Sequence, residues 1–296
     1  MSSFETCNKS SSRVLHINLI NIIILEDIHT DENTNIVINF DETNYSLDCI
    51  GFVNTTLNEL PSNLFNKYQA VNSIYASSTG LKTLPKTTFE NATKMLDIDL
   101  SGNNLKSLEE NVFSPCKLLR KLVISGNELE DIDMNTFDGL DHLEEIDLSG
   151  NLLKNIPHKS LGQLKGLKIL NLSKNMLNVH YGMFPFSLVS LDLSYNNLEN
   201  FTLKSIISLE NLKYLNLNGN KMFKFRLHIF PDGILGTLKS LKHIQLSDNN
   251  LYCTILADVV IWLDKHKVKI DVEPHFFIAN ASNIRGVGCK EEQIFF

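Results

Sequence analysis

Glycine, proline, basic side chains and long apolar runs are all scarce in this sequence. Its 14 Gly and 7 Pro among 296 residues are too few for a collagen or a loop-rich all-β protein. The longest unbroken apolar run, at residues 259–263, is far shorter than the roughly 18 residues that span a membrane. Lys and Arg number 27 against 34 Asp and Glu, and the net charge of −7 argues against a nucleic-acid-binding surface. With 43% hydrophobic residues, the chain can still bury a core.

Asparagine is abundant, and a repeated motif accounts for it. The chain has 34 Asn, about one residue in nine. The string IDLSGNNL at residues 98–105 recurs as IDLSGNLL at 146–153 and as LDLSYNNL at 191–198. The Asn at its sixth position recurs in steps of 24, 24, 24, 21, 24 and 29 residues, at Asn103, Asn127, Asn151, Asn175, Asn196, Asn220 and Asn249. Two weaker units place Thr79 and Thr55 at the same position.

Each of the nine units follows L-x-x-L-x-L-x-x-N-x-L-x-x-L, which is the leucine-rich repeat pattern. Apolar residues fill 43 of its 45 aliphatic positions, and only His180 and Thr254 depart from it. The pattern predicts an α/β leucine-rich repeat solenoid, a curved right-handed coil with one short strand per unit in a parallel concave sheet. We expect an N-terminal cap at 1–46, about nine repeats at 47–252, and a C-terminal cap with a helix and a disulfide at 253–296.

Two columns of residues are predicted to fill the interior of the coil. The repeated Asn can satisfy backbone groups of the turn after each strand. Ten residues further on, a mainly aromatic column is expected in the core, at Phe65, Phe89, Phe113, Phe137, Leu161, Ile206 and Phe230. Cys116 occupies a nearby apolar position, which predicts a buried thiol rather than a nucleophile.

The outward positions of the strands are the candidate binding surface. The candidate ligand-binding residues are Tyr75, Asp97, Asp99, Lys121, Val123, Glu145, Asp147, Ile169, Asp192 and Tyr214. The carboxylates among them could attract a basic partner, and exposed aromatic and apolar groups are typical of interface centres. An equally weighted interpretation is that solvated strands of an acidic protein carry Asp and Asn in any case. A glycan on Asn171, in the same face, would move binding to a flank.

Signals of catalysis, metal binding or a cofactor are absent from the sequence. The nine His form no zinc-ligand spacing, and there is no nucleophile elbow, phosphate-binding loop or dinucleotide fingerprint. We therefore expect a non-enzymatic protein with no cofactor and no metal site. A hydrolase assembled from distant residues remains a remote third hypothesis.

The chain resembles a known group of proteins at both ends. The segment FVNTTLNELP at 52–61 and the segment RGVGC at 285–289 resemble secreted insect leucine-rich repeat proteins, including the leucine-rich immune proteins of mosquitoes, and Toll-type receptor ectodomains. The resemblance implies an extracellular recognition module for a protein or pathogen-associated ligand, with a role in innate immunity. The chain departs from the group in that no coiled-coil heptads, transmembrane segment or signalling domain are evident within these 296 residues.

The resemblance also implies how the cysteines pair. A Cys followed by a helix with Trp-Leu and a distal Cys resembles the C-terminal cap of extracellular leucine-rich repeat proteins, which implies a Cys253–Cys289 disulfide. This chain has only two of the usual four cysteines there, so one bridge is expected. A second bridge between Cys7 and Cys49 is predicted, the alternative being two free thiols.

The sequons and the N-terminus bear on the compartment in which the protein is found. The N-glycosylation sequons are Asn8, Asn44, Asn54, Asn91, Asn171, Asn200 and Asn280, about as many as chance supplies. No signal peptide is evident near the N-terminus. We favour a secreted protein whose leader is missing from this chain; the alternative is a cytoplasmic scaffold or regulator of another protein, with reduced cysteines.

Overall fold

The computed structural model describes residues 22–26 (backbone only), 48–61, 64–179, 182–199, 201, 205–223, 238–272 and 282–291. It consists of two compact units, Met1–Leu152 and Leu153–Phe296. Each is built from short strands with one strand to a repeat.

The first unit contains six strands and one short helix within the residues described. These are β1 (Ile22–Glu26), β2 (Cys49–Val53), α1 (Leu64–Lys67), β3 (Ser73–Tyr75), β4 (Asp97–Asp99), β5 (Lys121–Val123) and β6 (Glu145–Asp147). Each strand pairs in parallel with the next, and positions 24 residues apart lie opposite one another from β2 to β6. The central residue of each short strand is buried, as the alternation of apolar and polar residues predicts.

The second unit begins with the same architecture and ends in a helix and a hairpin. Its elements are α2 (His158–Gly162), β7 (Ile169–Asn171), β8 (Ser190–Asp192), β9 (Tyr214–Asn216), β10 (His243–Gln245), α3 (Cys253–Lys265), β11 (Lys269–Ile270), β12 (Asn283–Ile284) and β13 (Val287–Gly288). Strands β7 to β11 are parallel neighbours in chain order, whereas β12 and β13 form an antiparallel hairpin.

The Asn column makes the backbone hydrogen bonds predicted for it. The Nδ2 of Asn127 donates to the carbonyls of Leu100 (3.0 Å) and Ile124 (3.1 Å), and its Oδ1 accepts the N–H of Leu105 (3.0 Å). Each side chain thus joins its own turn to the preceding repeat. Asn103, Asn151, Asn196 and Asn220 form the same kind of contacts.

The aromatic column is buried as predicted. The ring centroids of Phe65 and Phe89 are 5.5 Å apart, and those of Phe89 and Phe113 are 5.4 Å apart. Phe137, and in the second unit Leu161 and Ile206, are also buried; Phe230 lies outside the described residues. Cys116 is buried beside this column, and burial raises the pKa of its thiol to about 12.

Helix α3 lies within 253–296, where the sequence predicted a helix. Its buried side chains, Leu256, Val259, Val260 and Leu263, fall at helical spacing. The structure contains a disulfide between Cys253 and Cys289, which joins the first residue of the helix to the segment after β13. The bidentate ion pair of Arg285 with Asp264 also ties the hairpin to α3. The assignment of these elements as a cap, and the boundaries of the N-terminal cap, remain predictions.

Candidate ligand-binding surfaces

Six of the candidate residues form a continuous surface in the first unit, here called the first strand face. Strand register places Asp97 beside Lys121 and Lys121 beside Glu145, and in the parallel row Asp99 beside Val123 and Val123 beside Asp147. All six side chains are half-buried on either side of a buried central residue. The structure therefore brings together the residues that the sequence predicted to be neighbours.

The carboxylates of this face are partly neutralised. The Nζ of Lys121 lies 2.7 Å from Oε1 of Glu145. Partial burial raises the pKa of Asp97, and the charge of Glu145 adds to this, while the Lys121 ammonium opposes it. The face is acidic but contains its own counter-ion.

Two other carboxylates of the first strand face have a structural role that the sequence analysis missed. Oδ1 of Asp99 accepts hydrogen bonds from the N–H and the hydroxyl of Ser101, at 2.9 and 2.7 Å. Oδ1 of Asp147 accepts the N–H of Ser149 at 2.9 Å. These are Asx turns, in which the side chain holds the backbone bend after the strand. The recurring D-L-S spacing was the signal that could have indicated them.

Tyr75 does not form an exposed contact. Only 6% of its surface is accessible, so the expectation of an exposed aromatic ring at this position is wrong. Both outward positions of β3, Ser73 and Tyr75, are buried, in contrast to the half-open positions of β4, β5 and β6. Tyr75 therefore offers little surface to a ligand.

The remaining candidates lie on the second unit, whose outward strand positions we call the second strand face. Ile169 is 45% exposed and Tyr214 is 48% exposed. The Tyr214 ring stacks on the ring of His243, with centroids 5.1 Å apart and an interplanar angle of 18°. His243 and Tyr214 occupy equivalent positions on neighbouring strands. This face presents aromatic and aliphatic groups to solvent, as the sequence predicted for Ile169 and Tyr214.

Asp271 fixes the position of His243 and was not a sequence candidate. Its Oδ2 lies 2.8 Å from Nδ1 of His243, and its Oδ1 lies 2.8 Å from Nζ of Lys269. Partial burial would raise the pKa of Asp271, but hydrogen bonds from Lys269 and His243 outweigh it and lower the pKa. Asp271 follows β11, beyond the repeats, so the repeat pattern carried no signal for this contact.

A groove of about 250 Å³ runs along the second strand face. Its lining includes Ser190, Asp192, Tyr214, Asn216, His243 and Asp271. Asp192 forms an Asx turn with Ser194, like Asp99 and Asp147, and its other oxygen accepts the Nδ2 of Asn216 at 3.0 Å. The groove combines an aromatic wall with two carboxylates.

Three of the seven predicted N-glycosylation sites lie within the described residues. Asn54 and Asn91 are exposed, whereas Asn171 is half-buried, its Oδ1 accepting the N–H of Ser173. The other sequons, Asn8, Asn44, Asn200 and Asn280, lie outside the described residues. So does Cys7, the predicted partner of the buried Cys49, and that disulfide remains a prediction.

The part of the chain that the structure describes contains no cluster of three or more His, Cys, Asp or Glu side chains suited to a metal ion. Within the same residues, no helix is both long and apolar enough to cross a membrane.

Comparison with known proteins identifies the repeats and the fold. Leucine-rich repeat family models match residues 69–129, 117–177 and 187–209. Together with one parallel strand per repeat, these matches define the leucine-rich repeat fold. No curated protein matches the chain.

Several solved structures are similar to this chain. The chain is 27% identical to TLR13 in a complex with ssRNA13, with a TM-score of 0.63 over 70% of this chain and 29% of that one. It is 24% identical to a chain of the Drosophila Toll–Spatzle complex, with a TM-score of 0.59 over 76% and 35%. It also resembles a LRIM1/APL1C complex at 18% identity, with a TM-score of 0.48 over 91% and 69%. The chain thus has the leucine-rich repeat fold, and it covers 29% of the TLR13 chain and 35% of the chain from the Toll–Spatzle complex.

Proposed function

We propose that this chain is a non-enzymatic extracellular recognition module that binds a protein ligand through its second strand face. The observation that carries the proposal is the exposure of Ile169 and Tyr214 beside the groove. Single exposed apolar side chains are common on protein surfaces. An aromatic ring in a groove with polar side chains at its edge is, in contrast, typical of the centre of a protein–protein interface.

The comparisons support a binding role. Proteins with stacked repeats use their extended surfaces to bind partners. The TLR13 structure is a complex with RNA and the Toll structure is a complex with Spatzle. For this chain a protein ligand is favoured over RNA, because its net charge is −7 and both strand faces carry carboxylates. By the same similarity, a pathogen-associated ligand and a role in innate immunity belong to the proposal.

The extracellular location rests on the disulfide and the sequons. A disulfide between Cys253 and Cys289 is typical of proteins made in an oxidising compartment. Expression behind a heterologous leader in a secreting eukaryotic cell tests this part. We expect secreted protein whose mobility changes on reduction and which loses mass with a glycosidase. Secreted protein with fully free thiols and no glycan would instead support the intracellular scaffold.

The binding surface is tested by site-specific photo-crosslinking. A benzoylphenylalanine residue replaces Tyr214 in one variant and Ile261 in a control; Ile261 is 68% exposed on α3, outside the groove. In extracellular fluid of the source organism, we expect an adduct of one discrete mass from position 214 and none from position 261. Equal labelling from both positions would contradict the proposal.

A charge-reversed first strand face separates the two candidate surfaces. Asp97→Lys combined with Glu145→Lys alters the first face and leaves the groove residues unchanged. We expect the adduct at position 214 to persist in this variant. If the adduct is lost, the first strand face, rather than the second, carries the binding.

A further inference from the structure

Among the residues that the structure describes, the ring of Tyr214 stacks on that of His243. Its stacking on His243 covers the face directed towards β10. On the other side, the strand register places Ser190 of β8, whose side chain is small. Ser190 and Tyr214 both line the groove, so part of its space adjoins this side of the ring; we call that part the slot. A flat group of a partner could enter there and stack.

The carboxylate at the edge of this slot is uncompensated. Asp192 lies two residues beyond Ser190 on β8, about 7 Å along the strand. It accepts hydrogen bonds from Ser194 and Asn216, which are neutral, and forms no ion pair with the residues that the structure describes. Asp271 differs, because Lys269 and His243 lie against it. The charge available to a ligand is therefore that of Asp192.

A planar cation matches this combination of ring and charge. A guanidinium group stacks on an aromatic face and at the same time donates hydrogen bonds to a carboxylate. An ammonium group is a compact charge without a flat surface, and a neutral aromatic group has no charge to pair with Asp192. We propose that the slot between Tyr214 and Ser190 binds an arginine side chain of the protein partner, an inference that rests on the proposed function.

The test uses a small arginine probe, so it does not require the partner. N-acetyl-arginine-methylamide is titrated to millimolar concentrations and binding is followed by NMR. N-acetyl-citrulline-methylamide serves as the neutral isostere. We expect saturable shifts at Tyr214 and Ser190 with the arginine probe, and no saturation with the citrulline probe. Equal shifts with both probes, or no shifts with either, would overturn the inference.

Three variants locate the contacts. Asp192→Asn keeps an acceptor for the Asx turn but removes the charge, and Tyr214→Leu removes the ring; each should weaken arginine binding about fivefold or more. Tyr214→Phe keeps the ring and should bind as the natural protein does. Asp147→Asn is the matched control, since it alters the equivalent Asx turn away from the groove. Unchanged binding in Asp192→Asn, or equal loss in Asp147→Asn, would refute the assignment.

The two proposals can fail separately. If the arginine probe binds but position 214 crosslinks to no partner, the slot exists and the proposed function is wrong. If a partner crosslinks at position 214 and the arginine probe does not bind, the recognition role stands and the arginine slot is refuted.

Discussion

At the scale of single residues, the buried Asn side chains hold the turns that follow the strands. Asn151 donates to the carbonyls of Ile124 and Leu148 and accepts the N–H of Leu129. Asn151→Leu removes these partners while leaving the backbone groups buried, so it should lower the free energy of unfolding by a few kcal/mol, about 1–3 per orphaned group at most. Urea unfolding measures the loss.

The adjacent exposed Asn positions offer the control for this prediction. Asn104 is exposed, and its Nδ2 donates to the exposed carboxylate of Glu128 at 3.3 Å. Asn104→Leu should change stability by about 0.5 kcal/mol or less. Equal losses in the two variants would mean that the Asn column does not hold the turns.

Asp97 gives a prediction with a defined pH dependence. Its pKa in the folded protein is raised by burial and by Glu145, so its ionised form opposes folding at neutral pH. The penalty is present above the raised pKa and disappears as the pH falls towards the ordinary value of 3.8. Asp97→Asn should therefore stabilise the protein at pH 7, by less than about 1 kcal/mol because the group is only half-buried.

Unfolding of both proteins at pH 7 and pH 3 checks the sign. The variant should be the more stable at pH 7, and the two should converge at pH 3. Destabilisation at pH 7, or a difference that stays the same at both pH values, would contradict this account of Asp97.

Residue-level roles were the hardest to predict. The half-exposed strand positions of Asp97, Asp99, Lys121 and Asp147 follow from a period of two. Sequence reasoning treated Asp99 and Asp147 as ligand contacts, however, because it considered where the side chains point and not the local N–H groups they could satisfy. Tyr75 was misjudged because the repeat pattern marks its position only as outward, whereas burial depends on what surrounds a particular strand.

At the scale of elements, α3 and its disulfide give a prediction. Cys253 begins the helix, and its bond to Cys289 closes a loop of 36 residues. Replacing both by Ser should lower the free energy of unfolding by about 2–5 kcal/mol, because the unfolded chain is no longer constrained. Trp262, the single Trp of the chain, lies in α3 and reports the loss by fluorescence during guanidinium unfolding.

Reducing agent provides the internal control for the disulfide. It should lower the midpoint of the natural protein to that of the double variant and leave the variant unchanged. A midpoint of the natural protein that does not respond to complete reduction would show that the disulfide adds no stability.

Helices and strands were predictable from the sequence where the spacing of apolar residues along the chain determines them. Leu256, Val259, Val260 and Leu263 fall at helical spacing, and α3 buries these four side chains. The contact of His243 with Asp271 was not predictable, since the two residues are 28 positions apart and Asp271 lies beyond the repeated register. A site that depends on such a pairing becomes visible only once the strands are placed.

At the scale of the whole molecule, the repeats of the first unit should be removable one at a time. Residues 104–127 comprise one period of 24 residues and include β5. Their deletion joins Asn103 directly to Glu128, so Asn103 takes the position in the repeat that Asn127 occupies in the natural protein. Such a protein should fold cooperatively with reduced stability, because it lacks one repeat and one interface between repeats. Circular dichroism and urea unfolding measure both properties.

A deletion of half a period is the matched control. Removing 104–115 places polar residues at core positions and interrupts the Asn column, so this variant should not fold. If the 24-residue deletion unfolds the protein as thoroughly as the 12-residue deletion, the repeats are not equivalent units.

The parallel register of β3 to β6 has a consequence for how such a chain changes over evolutionary time. Because every residue of one strand lies opposite its counterpart 24 positions later, a duplication or loss of one whole period creates no new kind of contact. Recombination between the similar coding segments can therefore alter the length of the protein in single steps. Outward positions such as Asp97 and Lys121 are then free to diverge in each copy, so new binding surfaces can arise on an unchanged interior.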